Sequence, residues 1–246
     1  MKLIYDCHTH TNFSHGKATA SEMIKEAHRQ GLSGIYITEH GYAHYYAKKL
    51  NREKYLQLKH EIERMKNLYP EMDIRFGVEA NIVSTEGRID IEDDIDIFDF
   101  INAGFHVMIK MDNVKSYTNL FLPSLIAQRI KNEKIYARVC RSCTDAAIKM
   151  LDRYDINMIT HPTSNYPMFI DELAQKCAQT GTLLEINNSR QKLDAKQLAQ
   201  AAQTPGVQFA VGSDAHIVSN VGSCSRAFEI IQQSGVSTDR IVNVVQ

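Results

Sequence analysis

The chain has 246 residues, of which 43% are hydrophobic and 23% are charged, with 28 lysines and arginines against 29 acidic residues. The formal net charge of −1 argues against a protein that binds nucleic acid or anionic membranes through bulk electrostatics, and the apolar content excludes a disordered chain. The ten histidines stand out, since the same chain has only five prolines.

The cysteines and the N-terminal segment indicate the cellular compartment. Five scattered cysteines make a poor disulfide framework, and the C-x-x-C pair Cys140 and Cys143 has no second pair beside it and falls in a predicted helix. Asp6 interrupts the first apolar run, which argues against a signal peptide, and no apolar run approaches the roughly 18 residues of a membrane span. We therefore expect a cytoplasmic protein with no membrane partner.

Short apolar runs alternate with helical patterns along the whole chain. The runs predict strands at Lys2–Cys7, Gly34–Thr38, Ile74–Glu79, Phe98–Ala103, Asn157–Thr160, Thr182–Asn187 and Val207–Gly212. Amphipathic patterns predict helices at Ala20–Gln30, Arg52–Leu68, Tyr136–Tyr154, Ile170–Gln179, Ala195–Gln203 and Ser223–Gln233. Ser21 with Glu22 is typical of a helix start, and Gly31 of a helix end. Seven strands separated by helices predict an α/β fold with one closed β/α barrel of the TIM type, as a single domain over residues 1–246.

Most of the histidines fall just after a predicted strand. The residues at or beyond the strand ends are His8, His10, His15, His40, Glu79, His106, His161, Asp214 and His216. In β/α barrels the active site is built from the carboxyl ends of the strands and the loops that follow them. The sequence therefore predicts that these nine side chains share one rim of the barrel.

The chemistry of these nine side chains predicts a metal centre. Side chains alternate along a strand, so Asp6, His8 and His10 are expected on one side. Imidazole nitrogens with carboxylate oxygens suit Zn²⁺, Mn²⁺ or Fe²⁺ better than Ca²⁺ or Mg²⁺. Nine ligands exceed the needs of one ion, so we expect two or three divalent ions, with zinc favoured. A lone loop histidine is usually only a hydrogen-bonded polar residue, but independent histidines have no reason to cluster after so many strands. His28 and His60 are expected on helix surfaces, and His44 is left outside the set.

These motifs together resemble the PHP (polymerase and histidinol phosphatase) family over nearly the whole chain. The matching segments are Asp6–Thr11, the His15 loop, Thr38–His40, Gly77–Glu79, the His106 segment, Thr160–Pro162 and Gly212–His216. Segments Glu185–Ser189 and Asp239–Val244 favour the small bacterial phosphatase-like members. The stretch Val107–Leu122 matches no family pattern, and we expect a protein without a polymerase module.

The resemblance implies a distorted seven-stranded (βα)₇ barrel and a centre of three ions. The ligand sets that it implies are His8, His10, Glu79 and Asp214 for the first ion, Glu79 again with His106 and His161 for the second, and His15, His40 and His216 for the third. Glu79 would then bridge the first two ions.

The predicted function is metal-dependent hydrolysis of phosphate esters by a metal-bridging hydroxide, most simply as a phosphomonoesterase on a small metabolite such as histidinol phosphate. Asp6 would orient an imidazole, and Arg190 would grip a phosphate oxygen. The alternatives are a strand-end hydrogen bond for Asp6 and a solvated loop arginine for Arg190.

Two other functions stay open at this point, and a third, an amidohydrolase, is disfavoured. A phosphodiesterase or nuclease is weakened by the neutral charge, so nucleic acid is not an expected partner. A metal-binding module without activity would not need so complete a ligand set. An amidohydrolase usually carries a lysine after a middle strand, and Lys110 comes several residues too late.

Overall fold

A seven-stranded parallel sheet is the frame of the molecule in the computed structural model, which describes residues 1–45, 50–127, 132–164, 166–189 and 193–246. The strands are β1 (Lys2–Leu3), β2 (Tyr5–Thr9), β3 (Gly34–His40), β4 (Asp73–Asn81), β5 (Phe100–Gly104), β6 (Met158–Ile159), β7 (Leu183–Asn187), β8 (Phe209–Gly212) and β9 (Val244–Val245). The helices are α1 (Ala20–Arg29), α2 (Arg52–Leu68), α3 (Val114–Ser116), α4 (Leu122–Ala127), α5 (Glu133–Arg153), α6 (Ile170–Thr180), α7 (Ala195–Ala201) and α8 (Ser225–Ser234). Short 3₁₀ turns lie at Glu92–Ile97, Val218–Asn220 and Thr238–Arg240, and a π turn at Tyr117–Phe121.

Strands β2 to β8 pair in chain order, each parallel to the next, so that the sheet curves into a barrel. The last and first strands meet at their carboxyl ends, where the Asp214 N–H donates to the His8 carbonyl at 2.9 Å and the His10 N–H to the Ala215 carbonyl at 2.8 Å. The fold is therefore the expected α/β barrel of seven strands, nearly closed and forming a single domain.

A buried asparagine closes the other end of the same seam. The Asn243 side-chain amide donates to the carbonyls of Tyr5 and Val211 at 2.9 and 2.7 Å, and its oxygen accepts from the Val211 N–H at 2.8 Å. One side chain thus supplies the hydrogen bonds that β2 and β8 would otherwise exchange there, which satisfies buried backbone groups.

A small apolar cluster fills the barrel below the rim. It consists of Cys7, Tyr36, Phe100, Met158 and Ala210, and we call it the plug. The Cys7 Sγ lies 3.8 Å from the Met158 Sδ although β2 and β6 are not neighbours in the sheet, so the contact crosses the barrel interior. The larger core packs the outer faces of the strands against the helices.

Several boundaries differ from the predicted elements by a few residues, and three of the differences have a local structural cause. The first predicted strand divides at Ile4, because β1 leaves the barrel and pairs antiparallel with β9. Helix α5 begins at Glu133 instead of Tyr136, after an Asn132 cap. Helix α1 is capped by Thr19 rather than Ser21, since Thr19 and Glu22 each accept the other's backbone N–H, at 3.2 and 2.8 Å.

Two further expectations concern the thiols and membranes. All five cysteines are free thiols, and Cys140 and Cys143 lie buried in α5. No helix within the described ranges is long and apolar enough to span a bilayer.

Candidate metal centre

All nine predicted ligands lie at the carboxyl end of the barrel, and the structure brings them together. His8, His40 and Glu79 are on strands, and the others lie in the loops that follow the strands. Most of them are almost completely buried; the His216 side chain keeps 25% of its exposure and His15 is partly exposed. The parallel topology explains this convergence, because every strand delivers its carboxyl end to the same rim.

The first group contains His8, His10, Glu79 and Asp214. The Nε2 atoms of His8 and His10 lie 3.0 Å apart. The His10 Nε2 lies 3.4 Å from Asp214 Oδ1 and 3.5 Å from Glu79 Oε2, and the His8 Nε2 lies 3.4 Å from Glu79 Oε1. Ligands of a tetrahedral zinc ion with bonds of roughly 2.1 Å are separated by about 3.4 Å, so these spacings suit one ion.

The second group shares the Glu79 carboxylate with the first. Glu79 Oε1 lies 2.8 Å from the His161 Nε2 and 3.2 Å from the His106 Nε2, and these two nitrogens are 3.2 Å apart. Burial alone would raise the pKa of Glu79, but the imidazoles of His106, His8 and His40 hold it well below its usual range. Glu79 is therefore a carboxylate that stays ionised between two groups of nitrogen ligands.

The third group lies nearest the rim. The His15 ring centroid is 4.7 Å from that of His40 and 4.3 Å from that of His216. His44, which the sequence analysis set aside, stacks on His40 with centroids 4.2 Å apart, and its donor atom lies within 4.8 Å of those of His15 and His40. Its position four residues after His40 was the available signal.

The arrangement of the nitrogen and oxygen atoms is better explained by bound metal ions than by hydrogen bonds among the side chains. Within the described residues, the buried Nε2 atoms of His40 and His216 have no hydrogen-bond partner. Buried polar atoms rarely lack partners, and lone pairs that face each other at 3.0 to 3.5 Å need a cation between them. Among the side chains that the structure describes, four combinations of three place their donor atoms within 4.8 Å of one another: His8, His10 and Asp214; His40, Glu79 and His106; His10, His40 and His216; and His15, His40 and His44.

A buried carboxylate that the sequence analysis did not assign orients this centre. Glu185 Oε1 accepts from the His8 Nδ1 at 2.7 Å, while Oε2 accepts from the His161 N–H at 2.5 Å and the Asn187 amide at 3.0 Å. A proton held on Nδ1 leaves the Nε2 lone pair of His8 facing the first group. The signal was an acidic residue inside an apolar predicted strand, since such residues are rarely buried without partners.

Asp6 has different partners from those expected. Its carboxylate accepts from the backbone N–H groups of Gly222 at 2.9 Å, Ser213 at 3.1 Å and His8 at 3.3 Å, and not from an imidazole. Between Asp6 and Thr9 strand β2 has one residue more than β3, and this bulge breaks the alternation that would have put Asp6 beside His8. The hydrogen bonds of Asp6 match the strand-end alternative, and the carboxylate that contacts the His8 imidazole Nδ1 is that of Glu185.

The backbone at two of the nine positions is strained. His161 and Asp214 have φ angles of 29° and 53°, in the left-handed region that residues other than glycine rarely adopt. Such conformations persist where the surroundings impose them, and they gather at functional sites. Arg190, the expected phosphate contact, lies outside the described residues.

Two loop segments pair over the third group. The Lys110 N–H donates to the Ala43 carbonyl at 2.9 Å, and the Tyr45 N–H to the Met108 carbonyl at 2.8 Å, so Gly41–Tyr45 and Met108–Lys110 form a short antiparallel pair. We call this pair the cover. It carries the His44 ring onto His40, and Met108–Lys110 belongs to the stretch that matched no family pattern.

Comparison with known proteins gives a family, two relatives and a solved structure with the same fold. The model of the PHP domain family matches residues 6–189. The chain is 29% identical over 253 residues to a probable phosphatase of Thermoanaerobacter sp. (strain X514), and the match covers 99% of this chain and 91% of that protein. It is 27% identical over 252 residues to a probable phosphatase of Acetivibrio thermocellus, and that match covers 99% of this chain and 92% of the relative. A crystal structure of histidinol phosphate phosphatase from Lactococcus lactis superposes with a TM-score of 0.65 at 20% identity, over 96% of this chain and 95% of that one, and shares the barrel fold.

Proposed function

The chain belongs to the PHP domain family and is a phosphatase of that family, and we propose that it is a metal-dependent phosphomonoesterase acting on a small metabolite. One observation carries the proposal: the single buried carboxylate of Glu79 has five imidazole nitrogens within 3.5 Å, those of His8, His10, His40, His106 and His161. A carboxylate in that position can be shared between neighbouring ions, and paired ions stabilise both the attacking and the leaving oxygen in phosphate ester hydrolysis.

We propose that the centre holds two or three divalent ions, with zinc first and manganese or iron as alternatives. The first two would share Glu79, and a third would take His15, His40 and His216. Bound there, the ions would supply the Lewis acidity that attracts phosphate oxygens and makes a water molecule nucleophilic near neutral pH.

The chain's own residues prepare the site for this chemistry. Glu185 holds a proton at the Nδ1 of His8 and also accepts from the backbone N–H of His161, so one carboxylate fixes side chains of the first and second groups. Preorganised ligands need no rearrangement during the reaction, which is how fixed sites lower barriers.

The burial of the centre favours a small monoester over a polymer. Eight of the nine side chains are buried or partly buried, and the cover packs on His40, so the partly exposed His15 and His216 mark the side from which a phosphate enters. The terminal phosphate of a small monoester can reach the ligands beside His15 and His216. The Lactococcus lactis enzyme was crystallised with zinc, L-histidinol and phosphate, and we propose histidinol phosphate or a similar small monoester as the first substrate to test.

The second candidate is a phosphodiesterase acting on short nucleic acid or nucleotides, which the same ions would also serve. A long nucleic acid normally needs a basic track, and the formal net charge of −1 provides no overall excess of cations.

Metal analysis followed by paired ester substrates tests the proposal. The protein is reconstituted with Zn²⁺ or Mn²⁺, its metal content is measured by elemental analysis, and p-nitrophenyl phosphate is compared with bis(p-nitrophenyl) phosphate, which has the same leaving group. We expect two or three ions per chain and faster monoester hydrolysis. Less than one ion per chain would refute a multinuclear centre, and a preference for the diester would favour the second candidate.

The cytoplasmic location, the phosphate contact of Arg190 and the extent of the domain over residues 1–246 stay predictions.

A further inference from the structure

A fully buried carboxylate next to the centre directs its oxygens away from the nine ligands. Glu39 precedes His40 on β3. Its Oε1 accepts from the Thr11 N–H at 2.6 Å and from the Thr11 hydroxyl, and its Oε2 accepts from the Ser14 hydroxyl. Glu39 therefore ties β3 to residues 11–17, the loop that carries His15 and that we call the His15 loop.

The His15 loop is a tight turn that depends on these ties. The Gly16 N–H donates to the Thr11 carbonyl at 2.9 Å. A Cβ at Gly16 would lie 2.8 Å from the Thr11 carbonyl carbon and oxygen, closer than any side chain tolerates, so the turn packs directly on the backbone of Thr11, the residue that Glu39 binds.

The other end of the His15 loop is hydrogen-bonded to the backbone of His216, the third ligand of this group. The Lys17 N–H donates to the His216 carbonyl at 2.8 Å. His15 therefore lies on a segment attached at one end, through Glu39, to the strand that ends in His40, and at the other end to the backbone of His216.

The third group differs from the other two in how its ligands are carried. His8 and Glu79 lie within strands, whereas His15 lies in a turn and is partly exposed. Residues of a loop lose more freedom on being fixed than residues already in a sheet, so the affinity of this group depends on the contacts that order the loop.

We propose that Glu39 is a positioning residue that sets the affinity of the group His15, His40 and His216 for its ion. The inference rests on the proposed function, because it assumes a metal centre of three ions. Loss of a residue that orients a metal ligand typically weakens binding by roughly 10- to 100-fold, and we expect that range for the third ion alone.

The test compares Glu39→Ala with a matched carboxylate elsewhere in the chain. Glu61 Oε1 accepts from both the N–H and the hydroxyl of Ser21 at 3.0 Å, as Glu39 Oε1 accepts from both groups of Thr11, but this contact joins α2 to α1 in the helix layer. Zinc-loaded wild type, Glu39→Ala and Glu61→Ala are dialysed against graded chelator, and the zinc that each retains is measured. We expect Glu39→Ala to lose one equivalent at a chelator concentration roughly 10- to 100-fold lower, with the other two retained, and Glu61→Ala to match the wild type.

Two more variants separate positioning from folding. Glu39→Gln should restore the third equivalent, because its amide oxygen can accept from Thr11 while its NH₂ donates to the Ser14 oxygen. Ser14→Ala removes one of the three ties and should weaken the same equivalent by a smaller factor, which decides the matter if Glu39→Ala does not fold.

The outcomes distinguish this inference from the proposed function. If Glu39→Ala and Ser14→Ala retain zinc as the wild type does, or lose all equivalents in parallel, Glu39 does not set the third affinity. A wild type that stops at one or two ions also overturns the inference, but it leaves a metal-dependent phosphatase standing. A wild type with less than one ion overturns both.

Discussion

Replacing Glu185 with glutamine keeps the shape of the side chain but removes an acceptor from a place where all three neighbours donate. His8 Nδ1, the His161 N–H and the Asn187 amide all point at this carboxylate. In one orientation the new NH₂ group opposes the His161 N–H. In the other it opposes His8, which must then move its proton to Nε2 and lose the lone pair that faces the first group.

Both orientations have a cost that can be estimated. A buried donor left without an acceptor costs about 1–3 kcal/mol of folding free energy. The loss of an orienting partner weakens metal binding by roughly 10- to 100-fold, which corresponds to about 1.4–2.7 kcal/mol for the affected ion. We therefore expect Glu185→Gln to unfold more easily even without metal and to bind the first ion more weakly.

Asp6→Asn is the matched control, because Asp6 is an equally buried carboxylate of the same barrel whose partners are backbone N–H groups. Zinc affinity is measured by competition with a chromophoric chelator, and thermal unfolding is followed in the metal-free proteins. Asp6→Asn should lower the unfolding temperature but weaken zinc binding less than Glu185→Gln does, because its partners are backbone N–H groups and not an imidazole. The reasoning fails if Glu185→Gln binds zinc as the wild type does, or if Asp6→Asn weakens zinc as much.

Three further predictions concern Glu79, Asp90 and Leu58. Glu79→Gln should abolish ester hydrolysis more completely than Arg190→Ala and release more than one metal equivalent; near-normal turnover would mean that Glu79 is not shared. Burial raises the pKa of Asp90 to about 6, so the folded chain keeps a proton that the unfolded chain releases between about pH 4 and pH 6. The contribution of Asp90 to the free energy of unfolding of the metal-free protein should therefore fall by about 3 kcal/mol as the pH rises through that window. Urea titrations should show this fall reduced in Asp90→Asn, and an equal fall in both proteins would contradict it. Leu58→Ala, in the buried face of α2, should lower stability by about 2–5 kcal/mol with metal content unchanged, whereas a loss of zinc would show that the helix layer also holds the centre.

The positions of the ligands could be predicted because they depend on local pattern and on one topological rule. A residue such as His161 directly follows a short apolar run, and parallel strands bring such positions together whatever the details of packing. The barrel could be predicted for the same reason.

Features that depend on distant partners could not be predicted. The bulge that turns Asp6 away exists only relative to the register of β3, and a period-two pattern contains no register. Glu185 meets His8 across 177 positions of sequence. The stacking of His44 on His40 depends on the cover, which includes a stretch of sequence with no recognisable pattern.

The plug has a consequence for the order of events at this centre. Cys7, Tyr36, Phe100, Met158 and Ala210 pack together inside the barrel below the rim, so we expect ions and water to reach the centre from the rim. We expect ions to enter on the side of the exposed edges of His15 and His216 and to pass these residues on the way to the first and second groups. The deepest places should therefore fill first and empty last, and the ion nearest the rim should exchange fastest with the solution. A time course of isotopic zinc exchange would then have distinct phases, with the rim ion turning over before its inner neighbours.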